Sequence, residues 1–286
     1  MKTTRLLAAG LATSVLSFFS AASIQAVTLQ EIKDRGEIRI AVANEIPYGY
    51  MDLSGKAKGV GPEVAQHVAD ALGIDSIRWE TAAFGSLIPG LKAGRFDMVA
   101  AEMAILPQRC QQVLFSEPNS SYGEGLLVAR GNPNKLNAFE QFTQSDLKVA
   151  IMAGADQLEI LQALNIPAAH MVTIAKNADA ISTVATGRAD AYAATSLTIA
   201  ELAAKSDKVE AAQPFTDPVI NGEPVRSWGG FTFAQDSEAL RQKVNEALAA
   251  FKQTEEWKAI LKKYGFSSAD INESLKKTTA QLCRAS

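Results

Sequence analysis

Short apolar runs alternate with helical patterns along the chain, and this alternation constrains the fold more than any other feature. At 37–43 the apolar residues fall on every second position, which is typical of a strand. At 62–72 they are spaced by three or four, which is typical of a helix. The same order continues with a predicted strand at 76–82, a helix at 84–93 and a strand at 96–101. This succession predicts a parallel sheet flanked by helices.

The alternation restarts in the second half of the chain, after a predicted strand at 126–130 and a turn-rich stretch at 131–134. The second series of strands and helices is predicted at 148–152, 157–164, 170–174, 178–186, 189–194 and 197–204. A last strand at 229–233 leads into a helical stretch at 237–264. Two such series predict an α/β protein of two lobes, with a hinge between them and a ligand cleft at the strand ends.

The N-terminus has the three-part pattern of a secretory signal peptide. Lys2 and Arg5 give it a positive start, residues 6–22 carry no charge, and Ala26 is the small residue that signal peptidase requires. A membrane anchor is the competing interpretation, but the apolar run is short for a bilayer, which needs roughly 20 residues. We therefore predict a signal peptide at 1–26 and a mature protein in the periplasm, without a membrane anchor.

The chain is expected to cross between the lobes near 124–129 and again near 229–233. This predicts a first lobe made of 27–126 and 230–286, and a second lobe made of 127–229. The chain has two cysteines, Cys110 and Cys283, both in the predicted first lobe. In an oxidising compartment a pair of cysteines is more often bridged than free, so we expect a disulfide between them.

The composition excludes several classes of function. A net charge of −3 and a pI near 5.6 argue against a nucleic-acid partner, which usually needs a basic face. The chain has only two histidines, His67 and His170, and neither they nor the cysteines have the close spacing of a zinc site. We predict no metal, no cofactor and no histidine-based catalytic triad.

The most specific motif lies at 106–118, which reads Leu-Pro-Gln-Arg-Cys-Gln-Gln-Val-Leu-Phe-Ser-Glu-Pro. Together with Gly-Arg-Ala-Asp-Ala at 187–191 and the C-terminal run 257–265, it resembles the family 3 solute-binding proteins of polar amino-acid ABC importers. The resemblance covers the whole mature chain. It implies a two-lobed periplasmic-binding-protein type II fold, a small zwitterionic ligand and an ABC permease as partner. We expect a monomer without enzymatic activity.

Arg109 is the ligand residue that this motif indicates. It follows a strongly apolar predicted strand by one loop, so it should face the cleft at a strand's carboxyl end. A guanidinium binds a carboxylate through two parallel hydrogen bonds, which suits the acid group of a zwitterion. The alternative is a surface salt bridge between loops.

Within the family, the chain is most similar to the ectoine- and hydroxyectoine-binding proteins. The similarity rests on Ala-Asn-Glu-Ile-Pro-Tyr at 43–48, on the motifs at 84–91 and 107–110, and on Gly-Gly-Phe at 229–231. It implies ligand contacts for Glu45, Tyr48 and Phe84 beside Arg109. Ectoine combines a delocalised amidinium with a carboxylate.

Each of the three contacts has a chemical reason and an alternative. Glu45 is suited to the amidinium, and the rings of Tyr48 and Phe84 to stacking on a flat cation. The alternatives are that Phe84 anchors a helix in the core and that Tyr48 is a turn residue after Pro47.

Three positions depart from the patterns of relatives. Amino-acid-binding relatives place an Asp where this chain has Thr195, and a hydroxyl binds a compact ammonium poorly. Ectoine binders have an aromatic residue where this chain has Ala104. The set of aromatic rings around the ligand would then lack one member unless another aromatic residue, such as Tyr192 or Trp228, supplies it. Asp156 stands at a predicted helix start, where it is suited to capping the helix, to binding ligand, or to both.

Other functions remain as alternatives to an ectoine binder. A polar amino acid or an opine is the second choice of ligand. An enzyme on the same fold, such as a cyclohexadienyl dehydratase, would use Glu45 and Asp156 as acid and base. The sequence has no recognisable nucleophile–base pair, metal cluster or phosphate-binding glycine loop. A sensor ectodomain is disfavoured because no later segment is suited to span a membrane.

Overall fold

The computed structural model describes residues 27–144 and 146–284. The predicted signal peptide, residues 1–26, lies outside the described residues. Within the two described stretches, no helix combines the length and the apolar character that crossing a membrane requires.

Strands and helices alternate along the chain, as the sequence pattern predicts. The strands of the described residues are β1 (Glu37–Val42), β2 (Tyr50–Met51), β3 (Ala57–Lys58), β4 (Ser76–Thr81), β5 (Met98–Ala104), β6 (Leu114–Phe115), β7 (Ser120–Tyr122), β8 (Glu124–Ala129), β9 (Val149–Met152), β10 (Met171–Ile174), β11 (Ala191–Thr195), β12 (Val209–Ala211), β13 (Val219–Ile220), β14 (Glu223–Pro224) and β15 (Ser227–Phe233).

The helices connect these strands and form the C-terminus. They are α1 (Leu29–Arg35), α2 (Val60–Ala71), α3 (Leu87–Lys92), α4 (Pro107–Cys110), α5 (Gln157–Ala163), α6 (Asp179–Ala185), α7 (Ser196–Ala204), α8 (Glu238–Phe251), α9 (Glu255–Lys263), α10 (Ser268–Glu273) and α11 (Thr279–Leu282). Short 3₁₀ helices occur at Phe84–Ser86, Phe139–Phe142 and Ala168–His170.

Two sheets organise the fold. The first has the order β4-β1-β5-β15-β6, with β7 also paired to β15, and the second has the order β10-β9-β11-β8-β12. Strand β8 follows β7 after the single residue Gly123 and pairs only within the second sheet. Strand β15 returns the chain to the first sheet. The α/β class with sheets flanked by helices is confirmed, while the boundaries of the lobes at 126/127 and 229/230 stay a prediction.

The parallel strands of each sheet end at one edge, and the predicted ligand residues follow those ends. Strands β4 and β5 are both parallel to β1, and β10 and β11 are both parallel to β9. Glu45, Phe84 and Arg109 come shortly after β1, β4 and β5. In the second sheet, Asp156 follows β9 and Thr195 is the last residue of β11. The strand pattern therefore positions all five at carboxyl ends, as expected for open α/β sheets.

Two predicted elements differ from the structure. The strand predicted at 96–101 is β5, which begins at Met98 and continues to Ala104, because Gly229 and Gly230 of the distant β15 pair with its last residues. The helical stretch at 237–264 is two helices, α8 and α9. Thr254 separates them because its hydroxyl accepts a hydrogen bond from Trp257 N (3.2 Å) and begins a new helix.

The C-terminal helices pack on the first sheet. Val64 of α2, Leu240 of α8 and Trp257 of α9 are fully buried in one apolar cluster with Ile40 of β1. The indole Nε1 of Trp257 also donates to the Asn119 side chain (3.0 Å), which satisfies its polar atom inside the core.

A disulfide joins Cys110 and Cys283, as the sequence predicts, and fastens the C-terminus beside α4. The two Cα atoms are 5.7 Å apart and the residues are separated by 173 positions. Nearby, the Thr279 hydroxyl donates to Ser116 O (2.5 Å) and its backbone N–H donates to Glu117 (3.1 Å). The tail is therefore attached to the loop that follows Arg109.

Replacing both cysteines in a Cys110→Ser/Cys283→Ser variant should lower the free energy of unfolding by about 2–5 kcal/mol, because the unfolded chain gains the freedom that the crosslink removes. Denaturant unfolding of the variant and of the oxidised and reduced wild type measures the effect. Reduced wild type should match the variant. Equal stability of all three samples would contradict a structural bridge.

Candidate functional site

A small enclosed cavity lies between the two sheets, and five of the six residues predicted to bind ligand line it. These are Glu45, Tyr48, Phe84, Asp156 and Thr195. The cavity volume is ≈ 20 Å³, about enough for one water molecule. A larger groove of ≈ 400 Å³ lies beside it and shares Phe84 and Met152. The small cavity has the convergent charged groups, so we assign the candidate site to it.

Glu45 is held by a tight loop after β1. Its backbone exchanges two hydrogen bonds with that of Gly49 (3.0 and 2.9 Å). Its carboxylate accepts a hydrogen bond from the Thr198 hydroxyl (3.0 Å) of the second sheet's helix α7. Burial raises the pKa of Glu45 to about 7, against hydrogen bonds from Asn177 and Thr198 that lower it, and Asp156 raises it further. The site thus contains a carboxylate that lacks a cationic partner.

Tyr48 lines the cavity and also belongs to the core. Its hydroxyl donates to Thr195 Oγ1 (2.7 Å), and its ring packs against Tyr122, with the ring centres 5.1 Å apart. Phe266 meets it edge-on at 6.1 Å. Tyr122 lines the cavity too, and it supplies an aromatic wall near Ala104. Tyr192 and Trp228, the two aromatics named from the sequence for this wall, are not among the lining residues.

Arg109, the sixth predicted ligand residue, is not among the residues that line the cavity; it lies in the short helix α4 and is only 5% exposed. Its guanidinium donates to Ala104 O (3.1 Å) and to Gly154 O (2.8 Å), and it stands 5.8 Å from the centre of the Phe84 ring. It forms no salt bridge with any carboxylate of the described chain. The alternative of a surface salt bridge is therefore wrong.

Asp156 and Thr195 both begin helices but use their side chains differently. Asp156 precedes α5 without capping it, and its carboxylate accepts from the Ser227 hydroxyl (2.7 Å) of the first sheet. The prediction that Asp156 caps the helix is therefore wrong, because its side chain turns to Ser227. Thr195 caps α7 by accepting from Thr198 N (3.3 Å).

Direct contacts hold the two sheets together around the cavity. Four hydrogen bonds join elements of the first sheet to elements of the second: Tyr48–Thr195, Glu45–Thr198, Ser227–Asp156 and Arg109–Gly154. The cavity that remains is far smaller than any amino acid. Ligand access therefore requires these contacts to separate, as in a hinge opening.

The comparisons with known proteins agree with this architecture. The sequence pattern of the bacterial extracellular solute-binding proteins, family 3, matches residues 38–267. The chain belongs to this family. A probable amino-acid ABC transporter periplasmic-binding protein of Sinorhizobium fredii is 54% identical over 277 residues, which cover 96% of this chain and 92% of that protein.

Two solved structures extend the comparison of this solute-binding protein. The crystal structure of EhuB in complex with hydroxyectoine has a TM-score of 0.81 and 29% identity, covering 90% of this chain and 98% of that one. An ancestral amino-acid-binding protein, described as a precursor of cyclohexadienyl dehydratase, has a TM-score of 0.72 and 27% identity, covering 82% and 98%. The fold is thus the type II periplasmic-binding-protein fold, and this chain is a solute-binding protein of the amino-acid ABC importer type.

Sequence reasoning missed two buried carboxylates, Glu102 and Glu124. Glu102 interrupts the apolar strand β5 and lines the cavity. The Ser120 hydroxyl (2.5 Å) and the Asn119 amide (2.8 Å) donate to its carboxylate. Burial raises the pKa of Glu102 to about 7, although these hydrogen bonds and Lys252 lower it. A charged residue inside an apolar run was the available signal for Glu102.

The raised pKa of Glu102 predicts a pH dependence of stability. Its pKa in the folded protein lies above the ordinary value, so the folded state holds a proton that the unfolded state has released between about pH 4.5 and 7. The group's contribution is therefore present at low pH and is lost as the pH rises through about 7, by at most about 3 kcal/mol.

Denaturant unfolding of wild type and Glu102→Gln at about pH 5 and about pH 8 tests this. The loss of stability on raising the pH should be smaller in the variant, which cannot ionise. The same loss in both proteins would contradict the assignment.

Gly154 makes the closed arrangement possible. Its φ is +81°, and a Cβ there would lie 2.7 Å from Gly85 Cα of the opposing loop. Gly154→Ala should therefore hold the lobes apart and increase the radius of gyration in small-angle X-ray scattering. Gly187→Ala is the matched control, because Gly187 has a similar φ of +71° but open space around the new Cβ. An equal radius in both variants and wild type would refute the contact.

Proposed function

We propose that this protein captures a small zwitterion in the cavity, ectoine or hydroxyectoine first, and presents it to the membrane permease of an ABC importer. The observation that carries the proposal is Arg109, a buried guanidinium without a carboxylate partner in the described chain, beside a cavity lined by Glu45 and Asp156. Buried charges are stable only when paired. A ligand with both a carboxylate and a cation would pair them.

The aromatic residues support a flat cation. Phe84 and Tyr48 line the cavity with Tyr122, so three rings surround a space that also holds carboxylates. A delocalised cation is stabilised by the rings and by the carboxylates, and each contact with a ring face contributes about 0.5–2 kcal/mol. Thr195, whose hydroxyl is already hydrogen-bonded to Tyr48 and Thr198, offers no charge to a compact ammonium. The similarity to EhuB, solved with hydroxyectoine, points the same way.

A polar amino acid or an opine is the second candidate ligand. It is favoured by the relative of Sinorhizobium fredii, which is described as a probable amino-acid binding protein and is much more similar in sequence than EhuB. Ala104 also favours a polar amino acid or an opine, because this position has no aromatic ring where ectoine binders have one. Catalysis by Glu45 and Asp156 has less support, since the dehydratase-related structure is itself described as an amino-acid-binding protein.

Calorimetric titration of the mature protein, residues 27–286, with ectoine, hydroxyectoine, proline, glutamate, arginine and glycine betaine distinguishes these ligands. We expect tight binding of ectoine and no heat from the α-amino acids. Tight binding of an α-amino acid without ectoine would keep the importer function and refute the ectoine assignment.

Arg109→Ala should weaken binding of the preferred ligand at least ~30-fold, because it removes the partner of a buried carboxylate. Arg78→Ala is the control, since Arg78 lies on the surface with its side chain 52% exposed and pairs only with Glu37 and Glu80. The Arg78→Ala variant should bind the preferred ligand with the same affinity as wild type. Unchanged affinity in Arg109→Ala would remove this residue from the site.

A further inference from the structure

Glu124 is a buried carboxylate at the point where the chain enters the second sheet. It is the first residue of β8 and is 2% exposed. Its register partner in the antiparallel neighbour β11 is Thr195, so the two side chains lie on the same face of the sheet. Thr195 lines the cavity. Glu124 does not itself line the cavity, but the pairing places its side chain on the same face of the sheet as that of Thr195, behind the cavity wall.

The hydrogen bonds of Glu124 are incomplete. Gln157, which lines the cavity, donates its Nε2 hydrogen to Glu124 Oε2 (2.7 Å). The other oxygen, Oε1, is buried and has no hydrogen-bond partner in the described part of the chain. A buried polar atom without a partner is costly and usually has a functional or structural reason.

The surroundings of Glu124 are acidic. Burial raises the pKa of Glu124 well above its ordinary value, and Asp156, Asp217 and Glu45 raise it further, while the bond from Gln157 lowers it. No described lysine, arginine or histidine forms a salt bridge with it. Glu45, Asp156 and Glu124 thus form a group of interacting carboxylates, and none of them has a salt-bridge partner among the described residues.

We propose that Glu124 is a third ligand-binding carboxylate, whose Oε1 accepts a hydrogen bond from the cationic part of the ligand. The ligand class is then a zwitterion whose cation is delocalised and carries several N–H donors, an amidinium or a guanidinium. Such a cation donates N–H hydrogen bonds to carboxylates, two from a cyclic amidinium and up to five from a guanidinium, whereas a quaternary ammonium has no hydrogen to donate. This inference rests on the proposed function, since it concerns the same cavity.

The structural alternative makes a different prediction. If Glu124 served only to hold Gln157 in place, replacing it with the nearly isosteric Gln would disturb that bond and lower stability, with little change in ligand affinity. If it is a ligand group, the ligand-free protein holds it against Asp156 without compensation. Replacing it with the neutral Gln should then leave stability unchanged or raise it while affinity falls.

The test uses the Glu124→Gln variant of the mature protein, with thermal unfolding and calorimetric titration of ectoine, arginine and glycine betaine. We expect at least ~10-fold weaker binding of whichever N–H cation the wild type prefers, with an equal or higher melting temperature. Glu124→Asp, which keeps the charge, should bind better than Glu124→Gln. Glu159→Gln is the matched control, because Glu159 on α5 also has a buried oxygen without a partner in the described residues, whereas Glu124 is the one of the two that is bonded to the cavity-lining Gln157.

The outcomes separate this inference from the proposed function. Ectoine binding that is tight and equal in wild type and Glu124→Gln would overturn the inference and leave the function standing. Arginine binding that Glu124→Gln loses, without ectoine binding, would support the inference and refute the ectoine assignment. If Glu124→Gln has a lower melting temperature than wild type but the same ligand affinity, Glu124 has a structural role and the inference is overturned. Preference for glycine betaine, or binding of none of the three, would overturn this inference and the ectoine assignment together.

Discussion

The arrangement of the site depends on the hydrogen bonds that the buried guanidinium of Arg109 donates. The guanidinium joins Ala104 O, at the end of β5 in the first sheet, to Gly154 O, in the loop after β9 in the second sheet. The neighbouring Cys110 fastens its short helix to the C-terminus through the disulfide. A guanidinium stays charged at any pH that the protein tolerates, and burying it without an anion is unfavourable. The protein therefore keeps one positive charge at the cavity whose natural partner is a carboxylate.

The opposite charge is distributed over several acidic side chains. Glu45 and Asp156 come from different sheets, and burial raises the pKa of Glu45 to about 7, with Asp156 raising it further. In the closed arrangement, the hydroxyls of Thr198 and Ser227 each donate a hydrogen bond to one of these carboxylates. A cationic ligand would replace such neutral donors with donors that also carry the compensating positive charge. Closure and recognition would then be the same event, since the carboxylates proposed to bind the cation come from both sheets.

Much of this could be predicted from the sequence, and particular residues show why the rest could not. Glu45, Phe84 and Asp156 follow strands whose period is readable, so their position at strand ends follows from general rules. Glu124 gave no such signal, because its place beside Thr195 depends on the pairing of β8 with β11, some 70 residues apart. The extension of β5 to Ala104 depends likewise on the distant β15. The lack of capping by Asp156 depends on Ser227, which only the tertiary fold brings near.

A crystal structure of the protein with saturating ectoine tests the central claim most directly, because it shows which group meets which charge. The account predicts the ligand between the sheets, its carboxylate bound by two hydrogen bonds to Arg109 and its amidinium within hydrogen-bond distance of Glu45 and Asp156. A ligand bound with its carboxylate away from Arg109, or outside the cavity lined by Tyr48 and Phe84, would contradict it.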